Sequence, residues 1–471
     1  RSIWIQMKRL LLILLLFSPP VLAQNAGSFN GQLSSSGSGQ LMTLVGSNTY
    51  LSNTFTGKPV FIVGEDAFSL SNQLSNADVL TYLTDRASRG FNAIWITAPD
   101  NIYQTNTPDN YYGVVPFSGA DFTNEVTAFW VHVDNVVRQS QALGITVWLS
   151  PGFVGLNSSS GYLTSYVNSS STVLTNYGTW LGTRYAAYPN IVWALGGDWD
   201  PSTLAASQLN YLAAGIHGAD PNHLITIEAC RACSPANQST MDAWSQATAM
   251  NLNWVYAPYS GMQASCASNY ARSGALPALA GEDWYEGEHS MTALQLREEP
   301  YWETLSGCTL GRFFGNNPMW CFDSAQTAAG CNTGTTWQSQ LSSAGSTAEQ
   351  YHGQLMRSRE FWKMAPDTSN AVLTGGIGSG TSISVASCTS DGQTCIVYDP
   401  IGNSQAPQIA MSHFSGTVHA WWFNPASAAT TDLSTFTTSG THTFTPADGN
   451  DWVLVLDLNS AGLAAPGTTT E

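Results

Sequence analysis

The sequence predicts a (β/α)₈ barrel followed by a small antiparallel β-sandwich. Three observations lead there: eight short apolar runs, amphipathic helical stretches between them, and a change to short alternating strands near residue 368. The runs are Val60–Gly64, Ala93–Thr97, Ile145–Leu149, Ile191–Leu195, Leu224–Ile227, Trp254–Ala257, Pro277–Ala280 and Leu310–Phe314. Each is nearly continuous in apolar residues, the pattern of a parallel strand buried on both faces. Helices are expected over Asn76–Arg89, Phe122–Leu143 and Ser202–Ile216, stopped by Gly90, Gly144 and Gly218. Eight such repeats fit a barrel of typical size. An open doubly wound sheet is disfavoured, because no glycine-rich phosphate turn follows the first strand.

Beyond Trp362 the expected strands are Ile383–Val385, Thr394–Tyr398, Val418–Phe423 and Trp452–Leu456, closely spaced by turn residues. The expected boundaries are 1–23 for a signal peptide, 24–50 for a Ser/Gly-rich leader, 51–366 for the barrel, 367–460 for the sandwich and 461–471 for a frayed tail. Met7-Lys8-Arg9 opens the signal, Leu10–Phe17 is its apolar core, and cleavage is expected after Ala23. The core is well short of the ~20 residues a membrane span needs, so an exported chain, secreted or periplasmic in a bacterium, is expected.

The eight cysteines agree with an oxidising compartment. Cys388 and Cys395 flank a turn and are expected to staple a hairpin. Cys230 and Cys233 have zinc-like local spacing, but no second pair follows, so a disulfide or plain thiols is preferred to a metal. Pairing among the remaining cysteines stays open.

The chain of 471 residues carries 15 Lys+Arg against 32 Asp+Glu, a net charge of −17. That balance repels phosphate backbones and anionic lipid, so neither nucleic acid nor a membrane surface is an expected partner. Neutral sugars suit a chain with 17 Trp and 18 Tyr. No zinc-protease helix motif, nucleophile elbow or phosphate loop is present, and neither a metal nor another cofactor is expected.

In a barrel the reacting groups stand at the carboxyl ends of the strands. Read in order, these ends give Glu65 and Asp66, Asp100, Gly196-Gly197-Asp198-Trp199, Glu228, Tyr259, and Gly281-Glu282-Asp283-Trp284-Tyr285. Carboxylates and aromatics dominate this rim. Glycoside cleavage needs two carboxyl groups flanking the bond, one to protonate the leaving oxygen and one as nucleophile or base. Asp198 and Glu282 end strands four and seven, on nearly opposite sides of the ring, and are the expected catalytic pair. Glu228 is the next candidate. Asp66 and Asp100 are expected to bind sugar hydroxyls or cap helices, and Trp199, Trp284 and Tyr285 to offer faces for sugar rings, with Tyr259 also at the rim. Arg297 and Arg312 are expected to pair with acids. Trp95, Trp148 and Trp193 are expected in the core.

Several spaced motifs resemble the apiosidase-like glycoside hydrolases. They are Tyr82–Asn92, Arg184-Tyr185, Pro189–Asp198, Ala280-Gly281-Glu282, Tyr285-Glu286-Gly287, and Arg297 with Tyr301-Trp302, falling in order between about residues 50 and 365. The resemblance implies Asp198 as general acid/base and Glu282 as nucleophile of a retaining hydrolase acting on plant-type or other complex glycans. A carboxyl separation of ~5–5.5 Å corresponds to retention, and one of ~6.5–9.5 Å to inversion, the alternative the sequence leaves open. Val418–Pro425 resembles the collagen-binding-type module often appended to such barrels, and is read here as a sandwich accessory. The chain departs from the family pattern at Glu65-Asp66-Ala67-Phe68, at Glu228-Ala229-Cys230 and at Pro258-Tyr259-Ser260, so its sugar need not be apiose. The alternatives from other classes are a catalytically silent glycan-binding protein and a matrix-binding protein working through the sandwich.

Overall fold

The computed structural model describes residues 42–45, 49–101, 104–157, 161–231, 233, 239–323 and 334–468. The expected signal peptide and Cys331 lie outside these residues.

Eight parallel strands form the barrel: β1 (Ile62–Asp66), β2 (Ala93–Thr97), β3 (Thr146–Ser150), β4 (Ile191–Trp199), β5 (Ile225–Ala229), β6 (Asn253–Tyr256), β7 (Ala278–Glu282) and β8 (Gly311–Phe314). The hydrogen-bonded order runs β5-β4-β3-β2-β1-β8-β7-β6. Between β5 and β6 the ring is completed by other bonds. Asn251 N–H donates to Ile225 C=O (2.8 Å), and Thr226 Oγ1 donates to Leu252 C=O (3.0 Å). All eight runs expected from the sequence are strands, shifted by two residues at most except where β4 runs on through Trp199.

Inward-facing residues fill the barrel as a packed core. Trp95, Trp148, Trp254 and Phe313 meet there, with Trp95 and Trp254 edge to face at 4.6 Å and Trp254 stacked on Phe313 at 5.3 Å. Trp193 faces the helices instead and donates its indole N–H to Asp220 (2.8 Å). The floor is closed by a hairpin of Met42–Val45 and Tyr50–Asn53, extended by Pro59–Val60, whose Met42, Leu51 and Val60 are buried against the barrel core. The expected leader therefore ends before residue 42, because alternate side chains of this segment are apolar enough to plug the barrel.

Long helices cover the outside: α1 (Asn76–Ser88), α2 (Thr127–Ala142), α3 (Ser171–Tyr185), α4 (Ala206–Ala219), α5 (Tyr259–Tyr270), α6 (Gln295–Ser306) and α7 (Ala344–Arg357). The cap of α1 is Ser75, whose hydroxyl accepts from Asp78 N–H (3.1 Å). α2 starts at Thr127, because Phe122 and Asn124 hold left-handed backbone that a helix cannot include.

The second domain has a six-stranded sheet, ordered Met364–Pro366, Val385–Thr389, Thr394–Asp399, Trp452–Leu458, Val418–Phe423, Thr430–Phe436, and a three-stranded sheet of Leu373–Gly375, Gln408–Ala410 and Thr441–Thr443. Val397, Ala420, Trp422, Leu454 and Leu456 form its core with Leu373, Ile409 and Phe444. Its first strand starts at Met364, three residues before the expected boundary. The domain docks on α6: Tyr301 stacks on Tyr398 (4.8 Å), Trp302 Nε1 donates to Ile383 C=O (2.8 Å), and Arg297 grips Asp451 with two bonds (2.9 and 2.7 Å). The stretch expected to fray is held: Arg359 donates to Ala464 C=O (3.0 Å), and Gly467 N–H to Ser358 Oγ (2.9 Å).

Disulfides join Cys230 to Cys233, Cys266 to Cys308, and Cys388 to Cys395; Cys321 is also disulfide-bonded. Among the described residues, two cysteine pairs lie close enough to Asp200 or His413 to share a metal, but in both the sulfurs are bonded to each other, which removes the thiolates a metal would need. No helix among the described residues is long and apolar enough to cross a membrane.

Candidate active site

Two interruptions of the barrel ladder create the site. On β4, Gly196 pairs with Glu228 but Trp199 with Ala229, so Gly197 and Asp198 are squeezed out of register. On β7, Ala280 pairs with Val255 and Glu282 with Tyr256, leaving Gly281 as the extra residue. A bulge bends its strand and re-aims the next side chain. Here it does so at the carboxyl ends of both strands, just where Asp198 and Glu282 stand.

Glycine is required at the first bulge. Gly196 and Gly197 have φ of 91° and 92°, and a Cβ on Gly196 would lie 2.1 Å from Glu228 C=O. A Cβ on Gly197 would strike the Phe153 ring. These glycines thus admit the protein's own neighbours rather than a substrate. Asp198 itself is left-handed, at φ 49°. Its backbone N–H donates to Glu228 Oε2, a bond that holds the turn.

Four carboxyl groups converge in this mouth: Asp66 from β1, Asp198 from β4, Glu228 from β5 and Glu282 from β7. Burial pushes the Asp198 carboxyl up to about 6, opposed by the nearby Arg231 charge. Burial is therefore the main cause, in place of the Glu282 charge that proximity alone would suggest. Glu282 is raised by burial first and then by Asp198, while hydroxyls of Tyr256 and Tyr285 favour its ionised form. Glu228 is raised by burial and by Glu282 and Asp198. Asp66 is raised by burial and by Glu282, with the Tyr285 hydroxyl opposing the shift. Burial thus raises all four carboxyls above their ordinary values, and repulsion from neighbouring acids adds to it at Asp66, Glu228 and Glu282.

The other expected residues fall elsewhere. Asp100 accepts from Ser69 Oγ (2.6 Å) at the end of β2. Trp199 is fully buried, its indole N–H on Leu204 C=O (2.8 Å), so it offers no face to a sugar; the bulge at Asp198 turns it inward. Tyr259 commits its hydroxyl to Glu298. Trp284 is half-buried and stacked on His289 at 4.2 Å. Tyr285 is buried, and its hydroxyl serves Asp66 and Glu282 rather than its ring serving a sugar. Glu65 is structural, accepting from Tyr82 (2.8 Å) and Arg86 (3.1 Å). Arg312 sits among Asp283, Glu303 and Glu349 behind the strands.

Three site residues escaped the sequence reading. Tyr256 ends β6 beneath Glu282. Glu288 lies near Glu282 and Arg231, raised by burial, and accepts from Asn317 (3.2 Å). Arg231 sits between the disulfide cysteines just past β5, over the Tyr256 ring. The rule that reads strand ends would have found Tyr256. Arg231 lies between Cys230 and Cys233, whose spacing is the stronger signal in that stretch.

Comparisons with known proteins agree with this geometry. The family model described as "Apiosidase-like, catalytic domain" matches residues 46–363, and one described as a collagen-binding domain of a collagenase matches 369–457. A solved structure titled "Glycoside hydrolase" shares 22% identity, covering 89% of this chain and 97% of its own, with a TM-score of 0.77. A family 5 glycoside hydrolase from Bacteroides vulgatus ATCC 8482 shares 20% identity, covering 89% and 94%, also with a TM-score of 0.77. No curated protein matches. With two thirds of its length matched by the first model, this chain belongs to the apiosidase-like catalytic-domain family and is a glycoside hydrolase.

Proposed function

We propose that the protein is an exported hydrolase of complex, plant cell-wall-type glycans, working by a retaining two-carboxylate mechanism on Asp198 and Glu282. One observation carries the reading: two carboxyl groups stand on glycine bulges at the ends of β4 and β7 and face one pocket, close enough for the charge of one to raise the other. Asp198, protonated up to about pH 6, gives its proton to the glycosidic oxygen. Glu282 attacks the anomeric carbon as the leaving group departs, helped by the two tyrosine hydroxyls that favour its anion. Water then attacks the glycosyl–Glu282 ester while Asp198 takes the proton back, so the acid pair is restored. Glu228 holds Asp198 in place. Disulfides on both domains support function outside the cytoplasm.

The test is reducing-sugar release from a panel of pectic and hemicellulosic glycans, wild type beside Glu282→Gln. Release that disappears in the variant supports the reading and names the substrate class. Equal release by both removes Glu282 from the nucleophile's role.

A further inference from the structure

We propose that Tyr111 and Tyr112, on the long loop between β2 and α2, form a platform for a neutral stretch of the glycan chain, remote from the bond handled by Asp198 and Glu282. The inference rests on the glycosidase reading and adds the length of the substrate to it: a polymer, held at a second point.

Residues 98–126 join β2 to α2. Loops of this kind usually run about 2–6 residues, and those beyond about 12–15 are commonly functional. Tyr111 and Tyr112 stand 49% and 50% exposed on it, more than any other tyrosine among the described residues. Val115 beside them is exposed as well. A cluster of large apolar side chains left in water marks a binding surface.

The pair is held firmly. The side-chain oxygen of Asn110 accepts from Tyr112 N–H (3.0 Å) and Val114 N–H (3.2 Å), and its C=O accepts from Gly113 N–H (2.8 Å). These bonds close a turn with the two tyrosines at its tip, their rings edge to face at 5.1 Å. Further back the loop is anchored by Gln104 Nε2, which donates to Asp100 C=O (2.7 Å), and by Phe122, packed on Tyr166 at 4.6 Å. A preformed aromatic surface gives up little freedom when a ligand settles on it.

The turn stands at the mouth end of the barrel. The Tyr112 hydroxyl accepts from Asn76 N–H in the first turn of α1 (3.0 Å), and its ring meets His132 of α2 edge to face at 5.2 Å. α1 follows the carboxyl end of β1, so its first turn lies on the side of the barrel that carries the acids.

The surroundings select the occupant. Between Thr105 and Gly119 the one charged side chain is Asp109, and residues 98–126 contain neither Lys nor Arg. Anionic lipid or nucleic acid would find no cation here. Ring faces match the C–H faces of a sugar, and the exposed Thr105, Asn106 and Thr107 offer hydroxyl and amide groups to its hydroxyls.

Affinity gel electrophoresis of the full chain through arabinoxylan, xyloglucan and galactomannan tests this. At least one polymer is expected to retard wild type. The double variant Tyr111→Ala with Tyr112→Ala should weaken that binding at least about fivefold, whereas Tyr111→Phe with Tyr112→Phe, which keeps both ring faces, should stay within about twofold. Tyr111→Ala alone spares the Tyr112 bond to Asn76 and should weaken binding at least about twofold, so the test holds even if the double variant unfolds. Free migration of wild type through all three polymers, or equal retardation of wild type and the Ala variants, would overturn the proposal. So would a wild-type dimer in sedimentation that the Ala variants dissociate, since the tyrosines would then serve a second copy of the chain. Retardation lost in the Ala variants, without hydrolysis of any glycan, would sink the glycosidase mechanism and leave the platform standing. Hydrolysis with retardation indifferent to the tyrosines would do the reverse.

Discussion

The backbone N–H of Asp198 donates to the side chain of Glu228, so one carboxyl of the cluster positions another by way of the main chain. This bond separates two roles that the sequence left open. Glu228 is fully buried with one oxygen spent on the β4 turn, whereas Asp198 and Glu282 are only partly buried, at the mouth.

Glu228→Gln should therefore keep more activity than Glu228→Ala. The amide oxygen of Gln still accepts from Asp198 N–H, while Ala leaves that donor buried and unpaired. We expect kcat to fall about tenfold for Gln and at least a hundredfold for Ala, with KM little changed. Equal, complete losses would mean that Glu228 exchanges a proton with the substrate.

Activity should decline above the Asp198 titration. A general acid works only in its protonated form, and burial pushes this carboxyl up to about 6. The kcat/KM profile is expected to fall tenfold per pH step well above 6. In Asp198→Asn that alkaline limb should vanish along with most of the rate on substrates with poor leaving groups.

Gly196→Ala should damage the site through the backbone. The residue has φ 91°, and its new Cβ would lie 2.1 Å from Glu228 C=O. Strain of this kind costs about 1–3 kcal/mol, and the clash adds to it. Urea unfolding should show the loss, accompanied by a larger drop in kcat than Gly218→Ala, where the added carbon meets nothing.

Stability should be greater in mild acid than above neutrality. Around Arg312, burial raises Glu299 and Glu303 and brings Glu349 to about 7, against an ordinary 4.5. A raised folded-state pKa contributes stability that is full below the unfolded value and lost as pH climbs through the folded one. For Glu349 that window runs from 4.5 to about 7. Melting temperature should drop by several degrees between pH 5 and 8, and Glu349→Gln should flatten the slope. A melting temperature that rises across this range would contradict the assignment.

The barrel was legible because each strand is buried on both faces, which leaves an apolar run such as Ile191–Leu195 that no surface element carries. The two acids were legible because strand ends fix where chemistry can stand. What lay beyond reach was local: a bulge that displaces two residues sends Asp198 outward and Trp199 inward, reversing the indole's expected role. The floor hairpin was obscured by its Ser/Gly-rich surroundings, although Met42, Leu51 and Val60 are buried in it.

Azide rescue tests the central claim most directly. On an aryl glycoside of the sugar that wild type releases, Glu282→Ala should lose at least about a thousandfold in kcat. Added azide should restore turnover and yield a glycosyl azide, because the small anion attacks the anomeric carbon in the space the carboxylate vacated. Near-normal turnover without azide, or rescue confined to Glu228→Ala, would show that Glu282 is not the nucleophile.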